Sequence, residues 1–201
     1  MGVDGIALTL WGACGALITA ALVMAGLFLA GAPGFGSLQR AAAATSATVK
    51  LTIVTNAGPH HNWPAFEPSS FSIPTGTPVR VTVVNQDGAT PLPGSLSQDA
   101  KVTGVVGGVE TVTPLGAGRH STAKDEASVR LTDVSHTFTL PSLKINVPIP
   151  AQSRVTFTVE IAKPGEYSWS CVDPCGAGTT GWGPPMDVAG YMNGTVTATG
   201  A

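Results

Sequence analysis

Charge is scarce in this sequence. Lys and Arg number 10 and Asp and Glu 12 in 201 residues, 11% of the chain, for a formal net charge of −2. No basic cluster stands out, which removes the electrostatic footprint of a nucleic-acid binder. Low net charge combined with regularly alternating apolar residues also excludes intrinsic disorder. Beyond the first 30 residues no stretch carries a convincing helical pattern. There is no nucleophile–base pair, no phosphate-cradling loop and no carboxylate cluster, so catalysis by this chain alone is the weakest reading. What is abundant is Val, Thr, Gly (25) and Pro (16). That composition suits short strands joined by many turns and not a helical bundle.

Ile6 to Ala30 is an uncharged run of 25 residues. As a helix it would be about 37 Å long, enough for a hydrocarbon core of about 30 Å. A cleaved signal peptide competes with this reading, but it would have a basic start and a shorter apolar stretch. Met1 to Gly5 has no Lys or Arg and carries Asp4. Residues 1–30 are therefore expected to be an uncleaved, single N-terminal transmembrane helix, with Ala41–Ala44 keeping later cleavage open. Cys14 reads as an apolar side chain within this run. Residues 31–48, rich in Gly, Ala, Pro and Ser with Arg40 as their one charge, read as a flexible tether. The expected location is the cell membrane, single-pass, with the remainder on the extracytoplasmic side.

From Val49 the pattern switches to period two. Val49, Leu51 and Ile53 alternate with Lys50 and Thr52, and Val79, Val81 and Val83 with Arg80 and Thr82. Val155, Phe157, Val159 and Ile161 alternate with Arg154, Thr156, Thr158 and Glu160. Each is a strand with one dry and one wet face. Turn signals separate them: Pro74-Thr75-Gly76, Asp87-Gly88, Pro164-Gly165 and Asn193-Gly194. Residues 49–201 are thus expected to form an all-β antiparallel sandwich or barrel. Residues 88–132, with Lys124-Asp125-Glu126 and a small hairpin within Val102–Val112, read as a peripheral insertion whose apolar content is too thin for a second core.

Two segments carry the chemistry: Asp133-Val134-Ser135-His136-Thr137-Phe138, and Gly165-Glu166-Tyr167-Ser168-Trp169-Ser170-Cys171-Val172-Asp173-Pro174-Cys175-Gly176-Ala177-Gly178. Alternation puts Tyr167, Trp169 and Cys171 on one strand face, and His136, Phe138 and Leu140 on one face of another. Both segments resemble cytochrome c oxidase subunit II, whose extramembrane domain is a copper-binding cupredoxin. The likeness extends to Met192-Asn193-Gly194-Thr195-Val196, similar to the terminal Met-x-Gly strand of cupredoxins. It also takes in Pro68–Asn85, with Phe71, Ile73, Pro74, Gly76 and Pro78. It covers about two thirds of the extramembrane part and excludes residues 88–132.

The resemblance implies a Greek-key cupredoxin sandwich and a binuclear copper site. The implied ligands are His136, Cys171, Cys175, the backbone of Asp173, and Met192. The family's second histidine falls on Thr179, and no histidine follows His136. Gly181-Trp182-Gly183-Pro184-Pro185-Met186 lengthens the segment between cysteine and methionine. A replacement ligand would come from Met186, or from His60 or His61. Thiolate, imidazole and thioether together are the donor set of copper electron-transfer sites.

The plainer readings stay open. Cys171 and Cys175 form a disulfide, the default for a cysteine pair outside the cytosol; His136 is an ordinary strand histidine; Met192 and Trp169 are core; Trp182 is loop packing; His60, His61 and His120 are solvated. The functions that follow are a membrane-anchored cupredoxin that binds copper and transfers electrons in a respiratory-type chain, with a redox protein or respiratory-complex subunits as partners. The alternatives are a copper-free cupredoxin with a Cys171–Cys175 disulfide serving as a structural subunit, and a copper-delivery protein.

Overall fold

The structure, a computed structural model, describes residues 47–55, 63–116, 122–175 and 183–200. The expected anchor helix, the expected tether up to residue 46, and His60, His61, His120, Thr179 and Trp182 lie outside the described residues. Among the described residues no helix is long and apolar enough to cross a membrane.

The described residues belong to one compact unit, Ala43–Ala201. Its strands are β1 (Thr48–Val54), β2 (Ala65–Glu67), β3 (Ser70–Pro74), β4 (Val79–Asn85), β5 (Glu110–Pro114) and β6 (Lys124–Glu126). They continue with β7 (Val134–Leu140), β8 (Ile145–Pro150), β9 (Ser153–Val159), β10 (Gly165–Ser170) and β11 (Asn193–Thr199). One α-helical turn, α1 (Pro184–Asp187), precedes β11. A six-stranded sheet runs β2-β1-β4-β9-β5-β6 and a five-stranded sheet β3-β11-β10-β7-β8.

The alternation written in the sequence decides which side chains meet between the sheets. Val79, Val81 and Val83 of β4 and Val155, Phe157 and Val159 of β9 are buried, while Arg80 and Arg154 are exposed. Facing them from the other sheet are Phe138, Leu140, Trp169, Val196 and Ala198, all in one core. The rings of Phe66 and Trp169 meet edge to face with centroids 4.8 Å apart, and those of Phe138 and Trp169 lie 5.1 Å apart at a tilt of 34°. Trp169 is 1% exposed, and truncating such a residue to Ala typically costs about 3–5 kcal/mol. Its indole Nε1–H donates to the Ser69 carbonyl at 2.8 Å. That bond passes over Gly194, where a Cβ would come within 1.7 Å of the Ser69 oxygen. Only glycine lets β11 lie that close.

Two features depart from the expected pattern. The sheets are not purely antiparallel, because β1 pairs with β4, and β3 with β11, in parallel. Residues 88–132 do not sit off the sandwich either. β5 pairs with β9 and β6 with β5, extending the six-stranded sheet. Val102, Val105 and Val112 join the main core. Leu92, Ala100 and Val129 form a smaller cluster with Val134 of β7. The hairpin is formed by β5 and β6, and only the start of β5 overlaps the expected Val102–Val112.

Candidate metal centre

β7 and β10 bring the two singled-out segments together. The register of β7 against β8 shifts between Val134 and His136, an irregularity of the kind that re-aims a side chain. Ser135, His136 and Thr137 are all buried there. The chain leaves β10 at Cys171, whose N–H donates to the Met192 carbonyl at 2.8 Å. The next residue, Val172, donates its N–H to Thr137 Oγ1 at 2.8 Å. These two bonds fix the start of the turn that returns the second thiol to the first.

The result is a tight cluster. Cys171 Sγ and Cys175 Sγ are 2.9 Å apart, and His136 Nδ1 is 2.9 Å from Cys175 Sγ. The donor atoms of the three residues all lie within 4.8 Å of one another, and all three residues are buried. Both cysteines are free; a bonded pair would stand at about 2.05 Å. The Thr137 N–H donates to Cys171 Sγ at 3.3 Å, and the Asp173 carbonyl is 3.4 Å from the same sulfur. The Cys175 N–H donates to Met186 Sδ at 3.3 Å, so α1 carries its thioether to the edge of the cluster. Met192 is wholly buried, with its N–H bonded to the Pro185 carbonyl at 3.1 Å.

The electrostatics are those of a thiolate–imidazolium pair. Burial alone would lower the His136 pKa, but the hydrogen bond to Asp87 and the charge on Cys171 outweigh it and hold it at about 9. Burial would raise Cys171; hydrogen bonds from Cys175 and His136 reverse this and hold its thiol well below the ordinary range. Burial and the neighbouring Cys171 push Cys175 well up, so Cys171 is the sulfur that carries the negative charge. Burial, then Cys171, raises Asp173 to about 8. Both its carboxyl oxygens, like Ser135 Oγ, are buried without a hydrogen-bond partner. Two sulfurs, a carbonyl at one of them and an unsatisfied buried carboxyl make a setting that a cation would neutralise.

Asp87 is the functional residue that sequence reasoning missed. Its Oδ2 lies 2.9 Å from His136 Nε2, on the far side of the ring from the sulfurs. In the sequence Asp87-Gly88 reads only as a turn, and nothing local ties it to a strand far along the chain.

A two-sheet β-sandwich with a buried thiol–imidazole cluster at one end is what the fold and the site define. No protein-family model matches the chain, and no curated protein matches it. Among solved structures it is similar to auracyanin B, at 18% identity over 76% of this chain and 88% of that one, with a TM-score of 0.35. Dithionite-reduced auracyanin from the photosynthetic bacterium Roseiflexus castenholzii is 15% identical over 77% and 98%, TM-score 0.33. A multicopper oxidase is 8% identical over 76% of this chain and 44% of that one, TM-score 0.36. The site is therefore read from its own geometry.

Proposed function

We propose that this chain is a membrane-anchored, cupredoxin-like protein whose domain binds copper and transfers electrons on the extracytoplasmic face. The observation that carries the reading is the convergence of His136, Cys171 and Cys175, buried and with donor atoms within 4.8 Å of one another. Soft thiolate with imidazole favours copper over hard cations. Met186, Met192 and the Asp173 carbonyl are the weaker donors in this reading. Bound copper would supply a one-electron couple; the protein supplies donors held by β7, β10 and the Cys171–Cys175 turn, and a dry surrounding.

The same burial argues against copper delivery, because a receiving partner needs access to the donors. The approach of His136 Nδ1 to Cys175 Sγ, at 2.9 Å, favours ligation over the structural, disulfide-bonded reading. Residues 1–30 would hold the domain at the membrane, where a redox protein or a respiratory complex is the fitting partner.

The test is metal analysis, thiol titration and voltammetry on one anaerobic preparation of the full-length chain in detergent. Stoichiometric copper, visible absorption lost on substituting either cysteine, and a reversible one-electron couple are expected. Two blocked thiols and no copper would overturn the reading. Release of the full-length chain into the soluble fraction by alkaline carbonate would overturn its membrane part.

A further inference from the structure

His136 has two ring nitrogens, and the fold commits them to different neighbours. Nδ1 lies 2.9 Å from Cys175 Sγ, and Nε2 lies 2.9 Å from Asp87 Oδ2. A neutral imidazole carries one N–H, and the nitrogen that binds a metal must be the bare one. An ionised carboxylate can only accept. When the ring gives up one proton to bind a metal, the Asp87 carboxylate holds the remaining proton on Nε2 and leaves the Nδ1 lone pair facing the sulfurs.

We propose, resting on the copper reading above, that Asp87 is a positioning residue of the centre: it fixes the tautomer and ring plane of His136 so that Nδ1 is the ligating atom.

The backbone around Asp87 is secured independently of this bond. Asp87 follows the end of β4, and its N–H donates to Asn85 Oδ1 at 3.0 Å. Asn85 is wholly buried, and its Nδ2 donates to the Pro150 carbonyl at 2.9 Å. The Asp87 carbonyl accepts from the Gln152 N–H at 3.0 Å. The carboxylate is thus presented by a turn tied at two points to the β8–β9 connection. Arg130 is engaged with Asp133, at 2.6 Å. Among the described residues His136 is the one ion-pair partner that Asp87 has. His136 lies at the register shift in β7, and the Asp87 carboxylate is the group its Nε2 meets.

A carboxylate behind a ligating histidine both orients the ring and raises its basicity, and its removal typically weakens metal binding about 10–100-fold. The experiment uses the full-length chain in detergent and compares Asp87→Ala, Asp87→Asn and Asp87→Glu with the wild type. Copper affinity is measured by chelator competition, and the imidazole nitrogen hyperfine coupling by electron paramagnetic resonance of the oxidised protein. Asp87→Ala, which keeps the backbone bonds, should lose affinity by about 10–100-fold and show an altered nitrogen coupling. Asp87→Asn is isosteric and keeps an acceptor without the charge. It should lose less, and it carries the comparison if the Ala variant does not fold. Asp87→Glu, with the charge restored, should recover part of the affinity.

A role in folding alone would lower the melting temperature and leave the affinity and coupling of the folded protein unchanged. That result, in either the Ala or the Asn variant, overturns the proposal. A wild-type chain that holds no copper overturns the functional reading and this proposal together, whereas copper held equally by all four proteins overturns this proposal alone.

Discussion

Glu110 is wholly buried, and neither of its carboxyl oxygens has a hydrogen-bond partner. It faces Glu126 across the β5–β6 pair. Burial first, and then the charge of Glu126, raise its pKa from 4.5 to about 9. The folded state therefore binds a proton that the unfolded chain releases near pH 4.5. Its contribution is fully present below that pH and is lost as pH rises through about 9, since unfolding then gains from ionising the carboxyl. Glu110→Gln should flatten this dependence, so that the stability difference between variant and wild type widens in the variant's favour from pH 6 to pH 9.5 in urea denaturation. Asp173 also has a raised carboxyl, but it is present in both proteins and cancels in the difference. A constant difference across that range would show that Glu110 is already ionised at neutral pH. At this scale the sequence was uneven. Cys171, Cys175 and His136 stood out because their local settings are distinctive. The burial of Glu110 and the bond from Asp87 to His136 come from distant chain segments, and no local pattern encodes them.

β8 shows how an element can be protected by a segment that looked dispensable. All six residues of Ile145–Pro150 are buried, although the strand lies at the edge of the five-stranded sheet. An apolar edge is a template for unwanted pairing. Here Thr103 closes an antiparallel bridge with Asn146, through hydrogen bonds of 2.8 and 3.1 Å. The Asn146 side chain adds bonds to the carbonyls of Asp99 and Lys101, at 2.9 and 2.8 Å, and accepts from Thr139 Oγ1 at 2.7 Å. Asn146→Ala would leave these groups unpaired and should lower stability by about 1–3 kcal/mol. It should also speed hydrogen exchange at the Asn146 amide; unchanged exchange there would mean that the backbone bridge alone holds the cover. Strands β1, β4 and β9 were legible because period-two alternation marks a half-buried strand. β8 was not, since Pro148 and Pro150 break the ladder signal and read as loop; an edge strand tolerates them. Alternation also fixes which face is dry, not which neighbour a strand takes, so the parallel pairs β1–β4 and β3–β11 could not be read from it.

For the described domain, composition pointed to the outcome: few charges and many Val, Thr, Gly and Pro make a two-sheet sandwich. Among the described residues the chemical centre is buried within the sandwich. His136 is 3% exposed and the two cysteines 1% each, so a chelator or a competing thiol meets almost nothing of these donors from outside. The consequence is one of time. An ion held by these three residues would leave only when the enclosing backbone opens, and openings that expose a core are rare excursions governed by local stability. Copper release into excess chelator should therefore proceed at a rate that stops rising with chelator concentration, and it should quicken in any variant that loosens the β10–β11 end, Gly194→Ala among them. A rate that climbs in proportion to chelator would mean that the ion is met at the surface. On the copper reading, a bound ion would be kept by a clock set in the fold: loading would belong to the moment of folding, and the ion's residence would last as long as the sandwich stays shut.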